Sequence, residues 1–156
     1  FIKLVSDLPK DFAGLILGSS NSVKPKYYKS LKKLIEDYRL KNRVYFYDIK
    51  DDIREIYYLS EVVLNLSSKP EAFGMKLLEA AMMEKKIAGW DHGGSGEILD
   101  MCFPQGKVEF NNFDALSQKV IELAESDEVP NNIFLTSTLQ HEKTVAFYVD
   151  ALNKNY

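Results

Sequence analysis

Cysteine is nearly missing from this chain. Cys102 stands alone among 156 residues, so no internal disulfide can form. His92 has no His, Cys or acidic set near it at metal-ligand spacing, and no metal site is expected. That usage fits a reducing, cytoplasmic setting better than a secreted one, with Cys102 as an inert thiol. An excess of positive charge is also lacking: 20 basic against 23 acidic residues leave a formal charge of -3. No global field therefore advertises DNA, RNA or an anionic membrane, and any phosphate binding must be local. Long apolar runs are absent, which excludes a membrane-spanning helix, and the N-terminus carries no signal-peptide pattern. Neither internal repeats nor low-complexity tracts occur.

What is present is an alternation. Short apolar runs rich in branched or aromatic residues recur at Gly14 to Gly18, Arg43 to Tyr47, Val62 to Leu66, Lys86 to Trp90 and Lys107 to Phe110. Helical patterns with apolar residues three and four apart separate them, at Lys26 to Leu40, Asp52 to Ser60, Gly74 to Glu84, Gly96 to Cys102 and Phe113 to Glu125. In the last of these, Phe113, Leu116, Val120 and Leu123 form one stripe. Strands alternating with helices predict an α/β class, with a Rossmann-like doubly wound parallel sheet covered by helices on both faces.

At 156 residues one domain is the default. F-I-K-L-V-S-D-L-P reads as the back half of an amphipathic helix ended by Pro9, which implies a domain truncated on its N-terminal side, with its first strand missing. After Pro130 the pattern is helical again, so residues 131–156 are expected to form a C-terminal helical segment packing through Phe134, Leu139, Val145, Tyr148 and Leu152.

Ligands of open parallel sheets bind outside the carboxyl ends of the strands. Three loops leave such ends with polar or glycine-rich residues: G-S-S-N-S from Gly18, S-S-K-P-E-A-F-G from Ser67, and D-H-G-G-S-G-E from Asp91. The second is the richest. Glu71 and Glu79 bracket E-A-F-G-M-K-L-L-E, where a strand turns into a helix. Ionised carboxylates accept hydrogen bonds from ligand hydroxyls, Gly74 lets backbone come close to a ligand, and the helix N-terminus offers N–H groups to a phosphate. This combination suits a phosphorylated, polyol-bearing ligand. On spacing alone the pair also fits ordinary surface glutamates.

Other features have plainer readings. Gly93, Gly94 and Gly96 permit positive backbone dihedrals or close ligand approach, or simply a tight connecting turn. His92 fits a hydrogen-bonded loop histidine and His141 an exposed helix residue. The tyrosine pairs Tyr27 and Tyr28, Tyr45 and Tyr47, and Tyr57 and Tyr58 fit half-buried packing positions better than base-stacking platforms. Lys24, Lys26, Lys29, Lys32 and Lys33, partly offset by Glu36 and Asp37, read as a solvated helix face.

Read together, S-S-K-P-E-A-F-G-M-K-L-L-E-A-A-M, then I-A-G-W-D-H-G-G-S-G-E-I-L, resembles the donor-binding, C-terminal half of retaining GT-B glycosyltransferases (glycosyl transferases group 1, family 4) of the bacterial envelope-glycan type. R-V-Y-F-Y-D-I and F-L-T-S-T-L-Q-H-E-K-T-V-A-F-Y extend the likeness over nearly the whole chain. The resemblance implies that Glu71 meets donor-sugar hydroxyls at the catalytic centre and that Glu79 meets the ribose. It implies a donor-binding segment through Ala72, Phe73, Gly74 and Met75, whose backbone faces sugar and diphosphate. Ile49 would touch the nucleobase, and Gly18 and Ser19 would line the neighbouring rim. The donor would be a UDP-, GDP- or ADP-sugar, with no cofactor and no metal. The full-length protein would transfer a hexosyl-type sugar to a glycan or lipid-linked acceptor in lipopolysaccharide or capsule assembly, by way of an N-terminal acceptor domain. It would work in the cytoplasm, with peripheral association at the inner face of the plasma membrane.

Three positions depart from the family pattern. Glu84 and Lys86 stand where Gly and Pro are frequent, and Asp48 at a usual glycine. The family's diphosphate-clamping Arg and Lys lie on a first strand and loop that these residues do not include. The fragment alone is therefore expected to be inactive. The competing expectation is a non-catalytic, Rossmann-like binding or assembly domain that has lost donor binding.

Overall fold

The computed structural model describes residues 1–18, 25–47 and 53–131. Ser19, Ile49, His141 and the expected helical segment after Pro130, apart from Asn131, lie outside the described residues. Within them, α1 (Ile2–Asp7) leads to β1 (Gly14–Leu17), α2 (Pro25–Asp37) to β2 (Val44–Tyr47), and α3 (Arg54–Leu59) to β3 (Val62–Asn65). There follow α4 (Met75–Met82), β4 (Lys86–Trp90), α5 (Gly93–Cys102), a 3-10 turn (Pro104–Gly106), β5 (Lys107–Val108) and α6 (Phe113–Glu125).

All pairings are parallel, as expected for strands joined by helices. β1 pairs with β2, and β3, β4 and β5 pair in that order; among the described residues no ladder joins the two groups. Helices cover both faces. Leu77 of α4 packs near Gly89, whereas the Lys86 ammonium, three residues earlier and so on the other face, reaches the Ala124 carbonyl of α6 at 3.3 Å. Tyr57 of α3, Leu77 and Ala80 of α4, and Leu99 of α5 share one buried cluster; Trp90, Leu116 and Val120 belong to another. The stripe read on α6 is the face it buries, with Leu116, Val120 and Leu123 each at most 4% exposed and Phe113 edge-on to Trp90 at 5.2 Å. Helix α1 bridges the two sheet groups. Its Leu4 and Leu8 join the Trp90 cluster, while Ile2 and Val5 pack with Ile35 and Val44 beside β2.

Several boundaries differ from the expected ones. Helix α5 starts at Gly93 rather than Gly96, because the glycines that weaken the helical pattern are needed for a close contact described below. Strand β5 stops at Val108, since Asn111 takes φ 64° and Asn112 donates back to the Glu109 carbonyl at 3.0 Å. Helix α4 ends in a left-handed residue, Glu84 at φ 57°, with Lys85 N–H bonded to the Ala80 carbonyl at 3.0 Å. This six-to-one closure favours glycine, so Glu84 occupies a glycine-type position with a strained backbone. The tyrosine pairs are not uniformly half-buried. Tyr57 is buried and Tyr58 is exposed, because successive helical residues point about 100° apart; Tyr45 and Tyr47 share the outward face of β2 and are exposed too.

Candidate functional site

The segment after β3 is organised around a polar residue inside an apolar strand. Asn65, the last residue of β3, is 5% exposed. Its Nδ2 donates to Glu71 Oε2 at 3.0 Å and to Ser95 Oγ at 2.9 Å, and its Oδ1 accepts from the Ser67 N–H at 3.2 Å. A backbone N–H only donates and an ionised carboxylate only accepts, so this network fixes the amide orientation chemically. One side chain thereby sets the loop's exit from the sheet, the glutamate carboxylate and the first turn of α5.

Glu71 is half-buried, and among the described residues no donor is bonded to its Oε1. Glu79, in the second turn of α4, is exposed, and its Oε2 accepts from the buried Tyr57 hydroxyl at 3.0 Å. Burial, then the bond to Glu79 and its charge, push the Tyr57 phenol well above its ordinary range, so it remains a donor at any working pH. Both glutamates are thus held through one oxygen by a neutral buried donor. Between them, Gly74 caps α4 at φ 58°, with Leu77 N–H bonded to its carbonyl at 3.0 Å. The N–H groups of Met75 and Lys76 precede the first helical bonds and point out of the helix end. Phe73 and Met75 are 73% and 51% exposed, while Ala72 lies on the surface beside them. Gly18 directly follows β1 and lines the same cavity as Glu71 and Lys76. Of the residues expected at the site, Glu71 to Met75 and Glu79 therefore gather between the carboxyl end of β3 and the second turn of α4, and Gly18 stands at the carboxyl end of β1 on the wall of the cavity that Glu71 also lines.

The glycine turn after β4 serves this loop from behind. Gly94 N–H donates to the Glu71 carbonyl at 2.7 Å, and a Cβ on Gly94 would lie 2.6 Å from Phe73 N and Cα. The close approach expected of these glycines is thus to the protein's own backbone. His92 Nε2 lies 3.1 Å from the Ser67 carbonyl, its ring stacked on Phe110 at 4.7 Å. Asp91 faces Lys107 at 2.9 Å, which also meets Asp100 at 2.8 Å. Those contacts, the one to Asp100 foremost, raise the Lys107 ammonium above its usual range.

Asn65, Ser95 and the hydroxyl of Tyr57 were not singled out as site residues from sequence. A trace of Asn65 is visible as the one polar residue in V-V-L-N-L. Tyr57 packs, as its place in the pattern predicts, and its hydroxyl adds a second role.

Comparison with known proteins gives the family and the fold. The model of the family "Glycosyl transferases group 1" matches residues 1–135. A curated relative, the N-acetyl-alpha-D-glucosaminyl L-malate synthase of Bacillus anthracis, is 26% identical over 133 residues, covering 85% of this chain and 33% of that protein. Among solved structures, a glycosyltransferase from Rickettsia africae is 29% identical with a TM-score of 0.70, over 78% of this chain and 32% of its own. Anabaena HepE in complex with UDP-glucose is 22% identical with a TM-score of 0.72, over 80% and 34%. The 156 residues therefore span about a third of these relatives. They have the α/β architecture of GT-B glycosyltransferases, and the chain belongs to the glycosyl transferases group 1 family.

Proposed function

We propose that this domain grips the nucleoside-diphosphate sugar of a glycosyltransferase whose full-length form moves a hexosyl-type sugar to a glycan or lipid-linked acceptor with retention of configuration. The observation that carries this reading is the pair of carboxylates flanking the α4 N-terminus, Glu71 anchored by Asn65 and Glu79 by Tyr57. Helical side chains lean toward the N-terminus, so Glu79 reaches back to ribose hydroxyls while Glu71 meets the sugar. The diphosphate lies between them at the Met75 and Lys76 N–H groups, where the helix dipole favours negative charge. Ala72 and Phe73 supply backbone alongside the sugar, and Gly18 lies on the neighbouring rim; contacts of Ser19 at that rim and of Ile49 with the nucleobase are what the sequence resemblance implies. Preorganised donors and cationic residues elsewhere in the full-length protein stabilise the leaving diphosphate, with no metal called for. Retention, the acceptor domain and work at the cytoplasmic face of an envelope membrane follow from the sequence resemblance.

UDP, GDP and ADP are the nucleotides to test. Titration of each into the full-length protein, followed by NMR or thermal shift with Glu79→Ala as control, should show binding of one that the variant weakens. Failure of all three favours a non-catalytic binding or assembly domain. Turnover of a nucleotide-sugar by these 156 residues alone would contradict the view that they form only the donor half.

A further inference from the structure

Helix α4 begins with a charge that its dipole disfavours. The N-terminus of a helix carries partial positive charge and gains from acidic side chains. No acidic residue stands in the first turn of α4, and its second residue is Lys76. Helical side chains lean toward the N-terminus, so the Lys76 side chain extends past the helix end, in the direction its own N–H points. Local rules of stability are broken in this way at functional positions.

The fold gives Lys76 nothing in return. It is exposed, and among the described residues no carboxylate pairs with it. Other lysines differ: Lys86 meets Glu61 at 2.7 Å, and Lys107 meets Asp91 and Asp100 at 2.9 and 2.8 Å. Lys3, the second lysine on the wall of the cavity that Glu71 lines, lies over the Phe113 ring at 5.9 Å. The two carboxylates placed to answer Lys76 are engaged elsewhere. Glu79 is three positions on, a spacing that sets two side chains on one helix face, yet its Oε2 is bonded to the Tyr57 hydroxyl at 3.0 Å. Glu71, on the same cavity wall, is bonded to the Asn65 amide at 3.0 Å. Neutral donors hold both acids, and the cation that lies between them in the chain keeps its charge unanswered.

We propose that the Lys76 ammonium contacts the diphosphate of the nucleotide donor. This rests on the donor reading given above and assigns a side chain to the part of the ligand for which that reading supplied only backbone. Glu71, Lys76 and Glu79 alternate acceptor, cation and acceptor. A nucleoside-diphosphate sugar presents the complementary order: sugar hydroxyls, diphosphate, ribose hydroxyls. The ligand thereby supplies the neutralisation that the fold withholds. An ammonium is a compact point charge on a flexible stem, so it takes a phosphate oxygen without demanding a fixed geometry. Lys76 reads phosphate, and neither base nor sugar.

The test compares the full-length wild type with Lys76→Met, which keeps the stem and removes the charge, and with Lys76→Arg. Whichever of UDP, GDP and ADP the wild type binds is titrated calorimetrically at low and high salt, and the corresponding nucleoside by NMR. Lys76→Met should weaken the diphosphate about tenfold or more, the ordinary effect of losing a hydrogen bond between charged groups, and should change the nucleoside by about twofold or less. It should also flatten the salt dependence of diphosphate binding. Lys76→Arg keeps the charge and should stay within about threefold of the wild type. The melting temperature of Lys76→Met should not fall, because the lost charge opposed the helix dipole. Unchanged diphosphate affinity in Lys76→Met would overturn the role of Lys76 and leave the donor reading standing. Equal weakening of nucleoside and diphosphate, a lowered melting temperature, or an Arg variant as weak as the Met variant would overturn it by showing that the stem, not the charge, matters. A wild type that binds none of the three nucleotides would overturn both readings.

Discussion

The amide of Asn65 at the end of β3 holds the carboxylate of Glu71 at 3.0 Å and, with its second hydrogen, the Ser95 hydroxyl at 2.9 Å. Strand, ligand-facing loop and α5 are thereby tied at one buried point. Replacing Asn65 by Ala leaves the Ser67 N–H and the Ser95 hydroxyl without this partner, and the expected loss is about 2–3 kcal/mol of stability. Asn65→Asp keeps the shape but sets a second carboxylate against Glu71. Denaturant unfolding should show the loss for Ala, and Asp should be no better than Ala for nucleotide-sugar binding. A wild-type affinity in Asn65→Asp would show that Glu71 does not need this anchor.

Tyr57 plays the corresponding part for Glu79, with the difference that Glu79 is exposed. Tyr57→Phe keeps the packing and removes the hydroxyl. Stability should fall by about 1 kcal/mol or less, since the acceptor is solvated. Freeing the Glu79 side chain should weaken nucleotide binding about three- to tenfold, the cost of immobilising one long side chain on binding. Calorimetric titration of the variant measures it; an unchanged affinity contradicts the positioning role.

Gly94→Ala tests the contact between the two loops. The added methyl would sit 2.6 Å from Phe73 N and Cα and 2.7 Å from the Ala72 carbonyl, so backbone must move. Overpacking of this kind costs about 1–3 kcal/mol. Because the displaced backbone is the donor-facing loop, affinity should drop more than in a surface Gly→Ala control of equal stability loss.

Alkaline pH should destabilise the fold through two buried neutral groups. Burial pushes the Cys102 thiol from 9.0 up to about 11, and the Tyr57 phenol is raised from 10.0 by burial and by Glu79. Below pH 9 both groups are protonated in the folded and unfolded chains, and their full stabilisation is present. Above it the unfolded chain releases protons that the folded chain retains, so stability falls as pH rises, through Cys102 between pH 9 and 11 and through Tyr57 from pH 10 upward. Thermal melts under reducing conditions should show this decline, and Cys102→Ala should shrink its first part.

Much of this arrangement was legible in the sequence because both-face burial leaves a strong pattern. The apolar runs from Val62 and Lys86 and the stripe on α6 follow directly from it. The start of α5 was hidden, because Gly93 and Gly94 lower helix propensity for the sake of a contact with residues some twenty positions earlier. Such a contact has no local signature. The same holds for Asn65 and Tyr57, which look like a stray polar residue and a packing aromatic until the chain brings Glu71 and Glu79 beside them.

The division of labour between the two glutamates gives the most direct test of the account. Binding of a nucleoside diphosphate and of the matching nucleotide-sugar is measured calorimetrically on the full-length protein and on its Glu71→Gln and Glu79→Gln variants. Glu79→Gln should weaken both ligands by a similar factor, on the order of tenfold, because the ribose is common to them; Glu71→Gln should weaken only the nucleotide-sugar. Equal effects of both substitutions on both ligands, or no effect of either, would contradict the proposed grip.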